Sequence, residues 1–65
     1  MTLDDVRVRV HAVAAAMGDD EVAHGLEDDL YGDVLAAIAD GHPDSARLAR
    51  EALETSKLDF ARWCA

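Results

Sequence analysis

Apolar residues recur at helical spacing along most of the chain. Leu3, Val6, Val10, Val13 and Met17 stand three or four positions apart, which is the seam of an amphipathic helix. A competing pattern overlaps it, because Val6, Val8 and Val10 alternate with Arg7 and Arg9 as a β-strand would. The ends decide between them. Thr2 followed by Asp5 resembles a capping box with Asp in place of the usual Glu, and Asp4 and Asp5 sit where the helix dipole favours anions. The run Ala12 to Ala16 has high helix propensity apart from Val13, and Gly18 can end the element in a left-handed conformation. A first helix is therefore predicted between Thr2 and Met17.

The second element organises the rest. Asp19 or Asp20 can cap a helix that runs to Asp40, on the order of 30 Å long. Ala23, Leu26, Leu30, Val34, Ala37 and Ile38 share one arc, predicted to be buried, and Tyr31 and Leu35 extend its edge. Away from that arc, Gly25, Gly32, Ala36 and Ala39 form a stripe of small residues. Glycine within a helix costs ~1 kcal/mol relative to alanine. Two of them seven positions apart therefore suggest close approach of another helix, within the chain or across a dimer.

Gly41 supplies a stop and His42-Pro43 a turn. Asp44 or Ser45 then opens a third helix through Leu48, Ala49, Ala52 and Leu53, with Arg47–Glu51 and Arg50–Glu54 as outer i,i+4 pairs. A break or kink is expected at Thr55-Ser56. Ser56 with Asp59 resembles another cap, ahead of Leu58, Phe60, Ala61 and Trp63. The fold class is all-α: one domain over residues 1–65, a small three-helix bundle with a short or kinked C-terminal helix.

Size makes the core marginal, since a chain of 65 residues buries only about 60% of its unfolded surface. Such scaffolds usually need a staple. Cys64 is the only cysteine, so an internal disulfide is excluded and self-association becomes the natural remedy. No apolar run is long enough to span a bilayer, and the first residues lack the basic-then-apolar order of a signal peptide, which points to the cytoplasm and away from membranes.

Charge sharpens the picture more than composition does. The net charge is −8, and between Val10 and Ala46 there are nine acids and no Lys or Arg. Such a field repels nucleic acid and attracts basic partners. Little else carries chemistry. His24, Glu27 and Asp28 have a spacing that can hold a divalent ion, yet a bundle metal site also needs ligands from facing helices, and His11 and His42 are poorly placed to supply them. Cys64 lies too near the terminus to be a well-held nucleophile, and no glycine-rich phosphate loop is present. Neither an enzyme nor a cofactor is expected. Phe60 and Trp63 either close the core or, if exposed, offer a docking anchor.

The run HGLEDDLYGDVLAAIADG and the closing LDFARWCA resemble a group of small proteins from actinobacterial phages and their hosts. The likeness covers about two-thirds of the chain, chiefly through His24-x-x-Glu27-Asp28 and Phe60 to Ala65. It implies a phage-encoded product acting inside a bacterial cell, and it carries over no catalytic or ligand residue. The expectation that follows is a non-enzymatic acidic module binding a basic surface on a host protein. Its contacts would be Glu27, Asp28, Asp29, Asp33 and Trp63, and a homo-oligomer interface would lie at Gly25, Gly32 and Ala36. The alternatives are a metal-binding module through His24, Glu27 and Asp28, or a purely structural homo-oligomer.

Overall fold

A computed structural model describes residues 1–62. Three helices follow one another: α1 (Leu3–Ala15), α2 (Asp20–Ala39) and α3 (Ser45–Ala52). A short 3-10 helix (Leu53–Lys57) continues α3, and residues 58–62 form a non-helical tail. No strand occurs among the described residues. The protein is a small all-α three-helix bundle.

Local chemistry sets the helix ends. At α1 the capping box is complete: Asp5 N–H donates to Thr2 Oγ1 at 3.1 Å, and Thr2 N–H donates to Asp5 Oδ2 at 2.8 Å. The strand pattern of Val6 to Val10 is thereby overridden. Gly18 does not adopt the expected left-handed conformation, because tight i→i−3 bonds finish the helix without it: Met17 N–H to Ala14 O and Asp19 N–H to Ala16 O. Asp19 caps α2 by accepting from Val22 N–H at 3.2 Å. Gly41, at φ 82°, closes it in a Schellman arrangement, with Gly41 N–H on Ile38 O and His42 N–H on Ala37 O. At 20 residues α2 defines the long axis of a molecule 35 × 22 × 15 Å.

The expected Asp44 or Ser45 cap of α3 is replaced by His42. Asp44 N–H donates to His42 Nδ1 at 3.0 Å, and Ser45 Oγ donates to His42 O at 2.6 Å. With Nδ1 accepting, Nε2 carries the ring proton of a neutral imidazole and donates to Met1 O at 2.7 Å. The imidazole thus ties the start of the chain to the α2–α3 turn.

The core has two parts. Val6, Leu30, Val34, Leu48 and Ala52 form the larger, one residue from α1 and two each from α2 and α3, with Leu3, Val10, Tyr31 and Ile38 packed around it. Val13, Ala23 and Phe60 form the smaller, beside Met17 and Leu58. The reason for two is length. α3 has only 8 residues, about 12 Å, and runs out before the far ends of α1 and α2, so the tail folds back and Phe60 takes its place. The break expected at Thr55-Ser56 is present as the 3-10 helix, but Ser56 starts no fourth helix: its Oγ donates backwards to Leu53 O at 2.6 Å.

One residue of the arc predicted to be buried, Leu26, is exposed, as are Leu35 at its edge and Leu53 beyond α3. Leu26 sits at the edge of the α2 arc because Glu27 shares the row with Ala23, Leu30 and Val34, and Leu53 turns outward. The i,i+4 pairs of α3 do not form either. Glu51 lies 3.4 Å from Arg7 of α1, and Glu54 lies 2.7 Å from Lys57.

Candidate functional site

The acids of α2 divide into an inward and an outward set. Glu27, expected among the partner contacts, is 3% exposed and belongs to the fold. Arg62 Nε donates to Glu27 Oε1 at 2.9 Å, and Nη2 donates to Oε2 at 3.2 Å, a bidentate grip. The same guanidinium donates to the carbonyls of Thr55 (2.7 Å), Leu58 (3.0 Å) and Phe60 (3.3 Å), and its Cζ stacks 3.9 Å from the centre of the Phe60 ring. Arg62 thus satisfies a buried carboxylate, one carbonyl of the 3-10 helix and two tail carbonyls at once. Burial works to raise the Glu27 carboxyl, but the Arg62 guanidinium and Thr55 outweigh it and hold the group below its ordinary value. The pairing with Glu27 likewise raises Arg62. Next to it, the Tyr31 hydroxyl lies 2.5 Å from Thr55 Oγ1, and Thr55 in turn donates to Ala52 O.

Asp33, also expected as a contact, is exposed but meets Arg9 of α1 at 2.7 Å. Its charge is therefore offset within the chain. Asp28 and Asp29 are exposed as expected. Asp28 lies 3.4 Å from His24 Nε2, and Asp29 has no cation within ion-pair distance among the described residues. Glu21 joins them on the outer side of α2. Its place was legible, because Glu21, Gly25, Asp28, Gly32, Ala36 and Ala39 follow one another at helical spacing, and all are exposed.

Gly25, Gly32 and Ala36 take no part in packing within the chain. A Cβ built at either glycine meets nothing within 4 Å. The metal alternative loses its central ligand, since both Glu27 oxygens are engaged by Arg62. Among the described residues no three His, Cys, Asp or Glu side chains gather as a metal site would require. Trp63 and Cys64 lie outside the described residues.

Sequence reasoning missed an apolar groove. Tyr31, Val34, Leu35 and Ile38 line one side, and Ala49 and Leu53 the other, around a space of about 260 Å³. Leu35 and Leu53 are 66% and 56% exposed. Arg47 and Arg50 stand on the outer side of α3, with no carboxylate within 4.0 Å among the described residues. The signal was Leu35 at the border of the predicted arc. What the sequence could not give is that α3 leaves this border uncovered.

The residues thus define a three-helix bundle with a carboxylate-rich outer helix and a neighbouring apolar groove. No protein-family model, no curated protein and no solved structure matches the chain. No helix among the described residues is long and apolar enough to cross a membrane.

Proposed function

We propose that the protein is a non-enzymatic interaction module of the cytoplasm. It would regulate or inhibit a host protein by docking the outer face of α2 against a basic surface. The observation that carries the reading is the row Glu21, Gly25, Asp28, Gly32, with Asp29 beside it. Carboxylates there alternate with glycines and are exposed, and among the described residues no Lys or Arg pairs with them. The glycines keep the face low, so a partner's backbone can approach while its Lys and Arg side chains reach the acids. Complementary charge of this kind sets encounter rate and choice of partner more than raw affinity. The contact set narrows accordingly to Asp28, Asp29 and Glu21, with Glu27 and Asp33 removed by their own arginines.

The test is capture from host lysate on the immobilised protein, beside the double variant Asp28→Asn/Asp29→Asn. A specific partner should be retained by the parent, lost from the variant, and released near 1 M salt, where the screening length is about 3 Å. Equal capture by both proteins, or retention indifferent to salt, defeats the reading.

A further inference from the structure

We propose that the groove between α2 and α3 is the contact surface for a second copy of this chain, with the two α2 helices crossing antiparallel. The inference goes beyond the acidic-face reading and does not depend on it; because both surfaces include Asp28 and Gly32, a second copy and a host protein would compete for them. Leu35 and Leu53 present large apolar side chains to water beside an open groove, and neither belongs to the core. The groove needs an occupant that is apolar in the middle and charged on both flanks.

The flanking charges select that occupant. On the α3 side stand Arg47 and Arg50, two guanidiniums with no carboxylate within 4.0 Å among the described residues, in a chain of net charge −8. A basic peptide is repelled by them. On α2 the acids crowd into the first half, Asp20 to Asp29. In the second half, up to Ala39, the one acid is Asp33, which is held by Arg9. One copy of this chain therefore offers both an apolar half-helix and a carboxylate-rich half-helix.

Orientation follows from the same asymmetry. Parallel α2 helices would stack acid on acid. Antiparallel helices crossing on a two-fold axis at Leu35 bring the apolar halves together and carry each acidic half past the other copy's α2. Position 28 then faces position 42 of the second copy, at the entrance to α3, where Arg47 and Arg50 must offset Asp28 together with the exposed Asp40 and Asp44. The two-fold repeats that arrangement, so both flanks are matched at once. Gly32 and Ala36, both on the outer flank of Leu35, let the helices approach. A dimer contact of standard size buries about 800 Å² per copy. That is about a fifth of the 4269 Å² surface, a large addition to a small core.

Sedimentation equilibrium of the full chain over a range of concentrations tests this. The parent should approach twice its 7.0 kDa mass. Leu35→Glu should stay at the single-chain mass with its helical circular dichroism unchanged, because Leu35 is not part of the core. Should Leu35→Glu lose helix, Leu53→Glu gives the same readout from the other wall. Arg47→Glu should weaken the dimer roughly tenfold, and adding Asp28→Arg should restore it. A parent that remains a single chain at about 1 mM overturns the proposal. So does a dimer indifferent to both leucine variants, and an Arg47→Glu dimer of undiminished affinity removes the antiparallel arrangement. The mass requires no other protein, so its failure leaves the lysate experiment standing.

Discussion

The two ends of the bundle reach closure by different means. Beside the α2–α3 turn, Val6, Leu30, Val34, Leu48 and Ala52 bury side chains from three helices whose backbones satisfy their own hydrogen bonds. At the opposite end α3 has stopped, and Val13 and Ala23 are covered by Phe60 from a tail without regular structure. A tail has carbonyls to satisfy, and here one guanidinium accepts that task while also meeting Glu27. Helices close a core through shape alone. An irregular segment closes it only with a polar anchor, which is why a carboxylate occupies a core position of α2.

The largest test of this contrast is Leu30→Ala. Leu30 is fully buried in the three-helix cluster, and its truncation should cost about 2–5 kcal/mol, a large share of the stability of so small a domain. Thermal melts should show both ends lost in one transition. A Leu58 amide that keeps its protection in this variant would mean the two ends fold independently.

Glu27→Ala strikes the other end. Removing one partner of a buried pair usually costs about 3–5 kcal/mol, and the partly exposed Arg62 brings the expected figure down to about 2 kcal/mol. Hydrogen exchange should show Leu58, whose N–H donates to Thr55 O, losing protection while Val6, Leu48 and Ala52 keep theirs. Uniform loss along the chain would erase the distinction between the ends.

The smallest effect is acid sensitivity. The folded protein holds Glu27 below its ordinary value of 4.5, so its contribution is complete above that value. It is lost as the pH falls through the depressed folded-state value. Asp5, held down by Thr2 N–H and the Thr2 side chain, acts in the same direction below its ordinary 3.8. Melting temperature should therefore drop on acidification, and Glu27→Gln should flatten part of that drop. An equal acid slope in parent and variant would show that Glu27 does not carry it.

What the sequence revealed was local. The Thr2–Asp5 box, the Asp19 cap, the Gly41 stop and the seam through Val6 and Val13 all act within a few residues, and each could be read in place. Charge pairing was misread for the opposite reason. Glu27 meets Arg62 across 35 positions and Arg9 meets Asp33 across 24, distances at which spacing along the chain carries no information. Of the i,i+4 pairs assigned to α3, Glu51 turned instead to Arg7 of a different helix and Glu54 to Lys57 three positions on. One clue was present: Glu27 falls in the row of Ala23, Leu30 and Val34, where a carboxylate must find a cation or leave the core. The outward acids Asp28 and Asp29 were legible because they touch no distant part of the chain.

The neutral imidazole of His42 has a consequence for how the molecule comes apart. It moors the first residue at the exit of α2, while Arg62 moors the tail to the middle of the same helix. Proteases and fraying usually begin at loose chain ends. Here Met1 and Arg62 cannot be peeled away without first breaking an attachment to the α2–α3 turn or to α2, so fraying of either described segment is opposed by the middle of the molecule.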